Sequence, residues 1–210
     1  ELITVKGVRY LAEADVVIYA GSLVNPALLD YCKDGAEIHN SAHMTLDEVV
    51  EVIAQAEADG KMTVRLHTGD PAIYGAIQEQ MDAWEKRGFA YDVVPGVSSF
   101  LGTAAALRQE YTLPGISQTV IITRNEGRTP VPEREGIRSL AAHRASMVLF
   151  LSTGMLRKLC FELVAGGYPE DTPAALGYRA SWPDERVLRG TLATLPDAAE
   201  AEAITRTALV

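Results

Sequence analysis

Two cysteines, Cys32 and Cys160, are all that this chain of 210 residues holds. They form no Cys-x-x-Cys pair and lie far apart in sequence, which argues against a disulfide framework and for reduced thiols in a cytoplasmic protein. No apolar run reaches the ~18 residues of a membrane span, and no signal peptide is visible. Positive charge is also short: 19 Lys and Arg stand against 28 Asp and Glu, a net charge of −9. A nucleic-acid partner is disfavoured by that balance, because such binders carry a basic excess or patch. Gly-x-Gly-x-x-Gly, the Walker A loop, Gly-x-Ser-x-Gly and His-Glu-x-x-His are all missing. His39 and His43 stand four apart, but no cysteine or carboxylate spacing supports them, and no metal is expected.

Apolar residues are plentiful at 48%, with 22% charged, enough for one large or two small α/β domains with real cores. The run Val64-Arg65-Leu66-His67-Thr68-Gly69-Asp70-Pro71-Ala72-Ile73-Tyr74-Gly75 is the most informative. An apolar stretch stops at a tight turn and an amphipathic stretch follows, as where a parallel strand delivers its carboxyl end to a ligand. Gly69 lets backbone approach a ligand, Asp70 offers a carboxylate acceptor, and Pro71 can open a helix. Strands are expected over 16–20, 62–66, 91–94, 119–122, 147–151, 174–178, 186–192 and 207–210. Helices are expected after the Thr45/Glu48 capping box up to Gly60, over 73–86, from Ser98 or Ser99 to 106, and over 155–165. Strands alternating with helices imply a mostly parallel sheet, more mixed in the second half. Leu113-Pro114-Gly115 suggests a boundary between an N-terminal domain, 1–113, and a C-terminal domain, 114–210. Both chain ends are expected to cut through structure, so that the first domain is truncated at its start.

Four turns follow expected strands: Thr68-Gly69-Asp70, Pro95-Gly96-Val97-Ser98-Ser99, Ser152-Thr153-Gly154 and Arg179-Ala180-Ser181. Two fall in each half, which favours a cleft between two domains. The loop over 123–144 carries Arg124, Arg128, Arg134, Arg138 and Arg144 against Glu126, Glu133 and Glu135. It reads either as a solvated surface loop or as a clamp for carboxylates or phosphates, with Arg124 and Arg128 best placed. His67 reads more readily as a strand histidine than as a base.

These segments resemble the tetrapyrrole (corrin/porphyrin) methylases over essentially the whole chain. The carriers are Leu2-Ile3-Thr4-Val5-Lys6-Gly7 with Glu1 before it, Ala20-Gly21-Ser22-Leu23-Val24, the run 65–75, and Val94-Pro95-Gly96-Val97-Ser98-Ser99-Phe100. In the second half they are 117–124, Glu126-Gly127-Arg128-Thr129-Pro130-Val131-Pro132, Trp182-Pro183-Asp184-Glu185 and Arg189-Gly190-Thr191-Leu192. The 126–132 loop and the 178–185 stretch point to the subgroup that methylates ring carbon C11. The resemblance implies the tetrapyrrole methylase fold: α/β, two α/β domains, a homodimer, and S-adenosylmethionine in the interdomain cleft, leaving S-adenosylhomocysteine as product. It places Thr68, Gly69, Asp70, Ile73, Ser98, Ser99, Thr153 and Ala180 on the cofactor, many through backbone. It makes the substrate a carboxylate-rich tetrapyrrole, for which Arg124 and Arg128 are the candidate partners. No catalytic base is singled out. Relatives also carry a Gly-x-Gly-Pro-Gly-Asp loop before the Glu-Leu-Ile-Thr segment, which this sequence does not contain.

Other readings stay open at this point. They are a family member acting on another corrin carbon or, like diphthine synthase, on a modified protein residue; a truncated cofactor-binding module without turnover; and a nucleotide-dependent oxidoreductase, which the missing Gly-x-Gly-x-x-Gly disfavours.

Overall fold

The structure, a computed structural model, describes residues 2–21, 23–127 and 129–210. By packing, the chain divides into two units, Glu1–Ser99 and Phe100–Val210.

The first unit opens with α1 (Val5–Glu13), capped by the Thr4 hydroxyl accepting from Gly7 N–H. Then come β1 (Val16–Tyr19), β2 (Glu37–Asn40), α2 (Leu46–Ala58), β3 (Thr63–Leu66) and α3 (Gln78–Lys86). The three strands form a parallel sheet in the order β2-β1-β3. Being central, β1 is covered on both faces. Val16 and Ile18 pack with Val49, Ile53 and Ala56 of α2, while Val17 packs with Leu11 of α1 and Ala14. That alternation makes a layered α/β unit. The expected capping box is present: Thr45 accepts from Glu48 N–H, and the Glu48 carboxylate accepts from Thr45 N–H.

The second unit holds α4 (Ser99–Leu107), β4 (Val120–Arg124), α5 (Ile137–Ala141), β5 (Ser146–Phe150), α6 (Leu156–Ala165), β6 (Pro173–Tyr178), β7 (Arg186–Thr191), α7 (Leu195–Ala201) and β8 (Ala208–Leu209). β4 and β5 pair in parallel, and β6 pairs antiparallel with β7 and β8. Backbone bonds between Leu149 and Val210 tie β5 to the end of β8. The core gathers Leu149, Leu156, Leu159, Leu163, Leu176 and Leu195. The second half is thus mixed, as its sequence indicates. Residues of α4 pack within this unit, with Thr103 against Gly177 of β6 and Arg189 of β7 donating to the Leu107 carbonyl. The Leu113-Pro114-Gly115 turn lies inside this packing unit.

Two expected elements differ. The helix expected over 73–86 begins only at Gln78, because Tyr74 (φ 56°) and Ala76 (φ 50°) are left-handed and break the helical path. The strand expected over 91–94 joins no sheet. Side chains of α1 and its cap engage this stretch instead: Tyr10 donates to the Asp92 carboxylate at 2.8 Å and Thr4 to the Pro95 carbonyl at 3.3 Å. Tyr91 and Val93 stay exposed, so burial gives little reward for a ladder there. α1, β2, α5 and α7 are elements the sequence reading did not resolve.

Leu159 is fully buried in α6. Leu159→Ala is expected to lower unfolding free energy by about 2–5 kcal/mol, against about 1 kcal/mol for loss of the Thr45 cap in Thr45→Ala. Urea titration of both variants checks the order.

Candidate functional site

In the first unit the carboxyl ends of β1, β2 and β3 share one edge, since the strands are parallel and in register. The turn Thr68-Gly69-Asp70 leaves that edge after β3. Gly69 has φ +66°, and a Cβ built there would meet Ser98 Cα at 3.3 Å and Ser99 N at 3.4 Å. Gly96 is more constrained: its Cβ would lie 2.0 Å from the Gly69 carbonyl oxygen. The two turns therefore touch through backbone, which only glycine permits at that distance. Asp70 locks them. One carboxylate oxygen accepts from Ala72 N–H at 2.8 Å and the other from Gly96 N–H at 2.9 Å. The sequence suggested Asp70 as an acceptor for a ligand; in the structure both oxygens already take backbone donors, with lone pairs left over. Ile73 is half-buried, its N–H donating to the Asp70 carbonyl at 3.2 Å. Ser98 is buried and Thr68 exposed. All six first-unit candidates thus lie on two touching turns and the starts of the segments that follow.

The second unit has its own cluster. Arg124 and Phe150 are partners at the carboxyl ends of β4 and β5. Beyond them, Asn125 N–H donates to the Ser152 hydroxyl at 3.0 Å, and that hydroxyl donates to the Phe150 carbonyl at 2.7 Å. Ser152 is completely buried. Thr153 donates to the Ala208 carbonyl at 2.9 Å, while Arg179 N–H donates to the neighbouring Thr207 carbonyl at 3.0 Å. β8 therefore brings Thr153 and the Arg179-Ala180-Ser181 turn to one place. That turn is shaped by left-handed Arg179 (φ 45°) and Ser181 (φ 73°) on either side of Ala180. The Arg179 guanidinium lies over the Tyr178 and Trp182 rings, at 5.3 and 5.0 Å, and pairs with Asp184 at 2.7 Å.

Arg124 is spent largely on its own loop. Its terminal nitrogens donate to the carbonyls of Thr129 at 2.9 Å, Pro130 at 3.1 Å and Asn125 at 3.4 Å. Arg128 lies outside the described residues, as do Ser22 and Glu1.

Among the described residues, three side-chain donors in this unit are buried without a partner: Thr103 Oγ1 on α4, and Asn125 Nδ2 and Arg179 Nε at the strand ends. A buried donor left unpaired costs about 1–3 kcal/mol, which a bound acceptor would recover. Asn125 and Arg179 each lie on or beside a turn that the family resemblance gives to the cofactor. The residues present therefore suit a polar, acceptor-bearing ligand such as S-adenosylmethionine. Sequence reading named Arg179 only as part of a turn and gave Asn125 no role, since neither burial nor a missing partner is visible in a string of letters.

Neither thiol is an activated nucleophile, for burial pushes Cys160 up to about 11 and raises Cys32 as well. Burial, reinforced by the Arg65 guanidinium, pushes His67 down to about 4. Among the described residues no cluster of His, Cys, Asp or Glu could hold a metal ion, and no helix is long and apolar enough to cross a membrane. The arrangement is one for binding and orienting.

Comparison with known proteins agrees. The profile of the Tetrapyrrole (Corrin/Porphyrin) Methylases matches residues 1–196. The chain is 54% identical to the cobalt-precorrin-4 C(11)-methyltransferase of Methanocaldococcus jannaschii over 210 residues, covering all of this chain and 81% of that protein. It superposes on an X-ray structure of a cobalt precorrin-4 methyltransferase with a TM-score of 0.96 at 47% identity, covering 99% of this chain and 87% of the other. It is similar, at TM-score 0.78 and 26% identity, to a Thermus thermophilus uroporphyrin-III C-methyltransferase complexed with S-adenosylhomocysteine, covering 99% and 89% of the two chains.

His67 also yields a pH prediction. A histidine held neutral in the fold binds its proton more readily once unfolded. Stability is thus full above the ordinary value near 6.5 and lost as pH falls toward about 4, by up to about 3 kcal/mol. His67→Gln is expected to flatten that acid limb in denaturant titrations at pH 7, 5.5 and 4.5; an unchanged slope would refute it.

Proposed function

The chain belongs to the tetrapyrrole (corrin/porphyrin) methylases, and on that premise we propose that it transfers a methyl group from S-adenosylmethionine to C11 of cobalt-precorrin-4 or precorrin-4 in cobalamin biosynthesis. The observation that carries this reading is the match, over the whole of this chain, to C(11)-methyltransferases of both kinds, at 54% identity for a cobalt-precorrin-4 enzyme and 44% for a precorrin-4 enzyme. Each covers the whole of this chain and more than four-fifths of the relative.

When bound, S-adenosylmethionine supplies an already activated methyl group on a sulfonium. What remains for the protein is alignment and exclusion of water, which can contribute several kcal/mol without a protein nucleophile (roughly 7–11 in the best cases). Thr68, Gly69, Asp70, Ile73, Ser98 and Ser99 are the first-unit contacts of this reading, and Thr153 and Ala180 those of the second. Asp70 acts by fixing the two glycine turns against each other. Asn125 and Arg179 add the unpartnered donors. Arg124 shapes the loop through its carbonyl contacts and has N–H groups to spare, and Arg128 with it pairs the carboxylates of the macrocycle. The same reading includes a cytoplasmic homodimer with no nucleic-acid or membrane partner. Its support is the net charge of −9, the free cysteines and exposed apolar side chains such as Val5, Ile116, Leu151 and Phe161.

Calorimetric titration with S-adenosylhomocysteine tests the cofactor half. The parent chain is expected to bind at micromolar level and Asp70→Ala at least about tenfold more weakly, the worth of one charge-assisted hydrogen bond. Incubation with S-adenosylmethionine and each tetrapyrrole tests the rest. Product heavier by one methylene is expected, with methylation at C11 by NMR; methylation at another ring carbon would overturn the C11 assignment. Arg128→Ala should raise KM for the tetrapyrrole severalfold and leave KM for S-adenosylmethionine alone.

A further inference from the structure

Arg65 of β3 stands opposite Ile18 of β1, and each of its three nitrogens donates inside the first unit. Nη1 reaches the Ile18 carbonyl at 2.9 Å, Nη2 the Ser41 hydroxyl at 3.0 Å, and Nε the Gln80 Oε1 at 3.1 Å. Ser41 passes the connection on to the Tyr19 carbonyl at 3.1 Å. Gln80, on α3, is only 7% exposed. Its other end donates from Nε2 to the Ala76 carbonyl at 3.1 Å. A continuous path of hydrogen bonds therefore runs from the carboxyl end of β1, through a guanidinium and a carboxamide, to one backbone carbonyl of the segment after Asp70.

That carbonyl belongs to an unusual stretch. Tyr74 and Ala76 are both left-handed, at about 1–2 kcal/mol each for residues with a Cβ. Between them, Gly75 folds back so closely that a Cβ would sit 2.1 Å from the Pro71 carbonyl oxygen. Geometry of this kind persists only where its surroundings over-determine it, and it clusters at ligand sites. Asp70 fixes the front of the stretch through Ala72 N–H. Gln80 fixes the back. In an ordinary helix the Ala76 carbonyl would accept from the Gln80 backbone; here the Gln80 side chain takes it.

We infer that Gln80 is a positioning residue for the cofactor-binding turn, with Arg65 as its anchor: the pair holds the Ala76 carbonyl, and with it the 71–77 segment that carries Ile73, in the shape that receives S-adenosylmethionine. The inference rests on the cofactor assignment made above. It goes beyond that assignment because neither side chain belongs to the turns themselves.

Gln80→Glu separates the two bonds. The carboxylate still accepts from Arg65 but has no hydrogen to give to Ala76. The expected result is S-adenosylhomocysteine affinity about tenfold weaker by calorimetry, KM for S-adenosylmethionine raised in step, KM for the tetrapyrrole within about twofold, and a melting temperature near the parent's. Gln80→Met removes both bonds without adding charge, and serves equally if the first variant does not fold. It should weaken binding as much and also lower the melting temperature. Faster amide hydrogen exchange confined to 72–77 is expected in either variant. If the parent binds and a folded variant binds equally well, Gln80 only braces the helix and the inference falls while the cofactor assignment stands. If the parent fails to bind, the cofactor assignment falls and takes this inference with it.

Discussion

One carboxylate organises the carboxyl edge of the first unit's sheet. Asp70 accepts from Ala72 on its own turn and from Gly96 on the next, two backbone donors that have no helix or strand partner to go to. Without that pair, two glycine-bearing turns would have to lie against each other with only van der Waals contact between them. With it, the edge of a parallel sheet becomes a surface of fixed backbone groups. The small residues along it matter less for what their side chains do than for how near they let main chain come.

The second unit reaches a comparable result by other means. There the fixing groups are hydroxyls: Ser152 between β4 and β5, and Thr153 on β8. Arg179, stacked over two rings and paired with Asp184, holds a turn with two left-handed residues in it. Both units spend their polar groups on shaping main chain. This suits a reaction in which the reagent arrives activated and the protein's contribution is geometry.

How much of this could be read from the letters differs by element. The strand-to-turn boundary at Leu66 to Asp70 was legible because apolar run, glycine, carboxylate and proline agree on one local structure. The Thr45 cap was legible for the same reason. The late start of α3 was not. Residues 73–77 hold no proline to stop a helix, and what breaks it is the backbone path around Gly75, fixed by contacts with Asp70 and with a glutamine on the helix itself. The 91–94 stretch misled in the opposite way. Its apolar residues alternate like a strand, yet Tyr10 and Thr4 of a distant helix engage it. Burial and long-range partners decide such cases, and neither is a property of a window of sequence. The eight cofactor candidates came from the family resemblance, seven of them on the four turns; how Ser152 and Gln80 shape such turns became visible only with their partners.

The contact between Gly96 and Gly69 has an evolutionary consequence. The atom that a side chain at position 96 would strike is a backbone carbonyl oxygen, which every amino acid carries. No substitution at position 69 can make room, so the usual route by which a second mutation rescues a first is closed. Sequence drift at position 96 is then blocked in any genetic background that keeps this turn. A lineage that lost the glycine would have to rebuild both loops at once, by insertion or deletion. Variation in such a protein is expected to collect on the helices' outer faces and skirt this crossing of two chains.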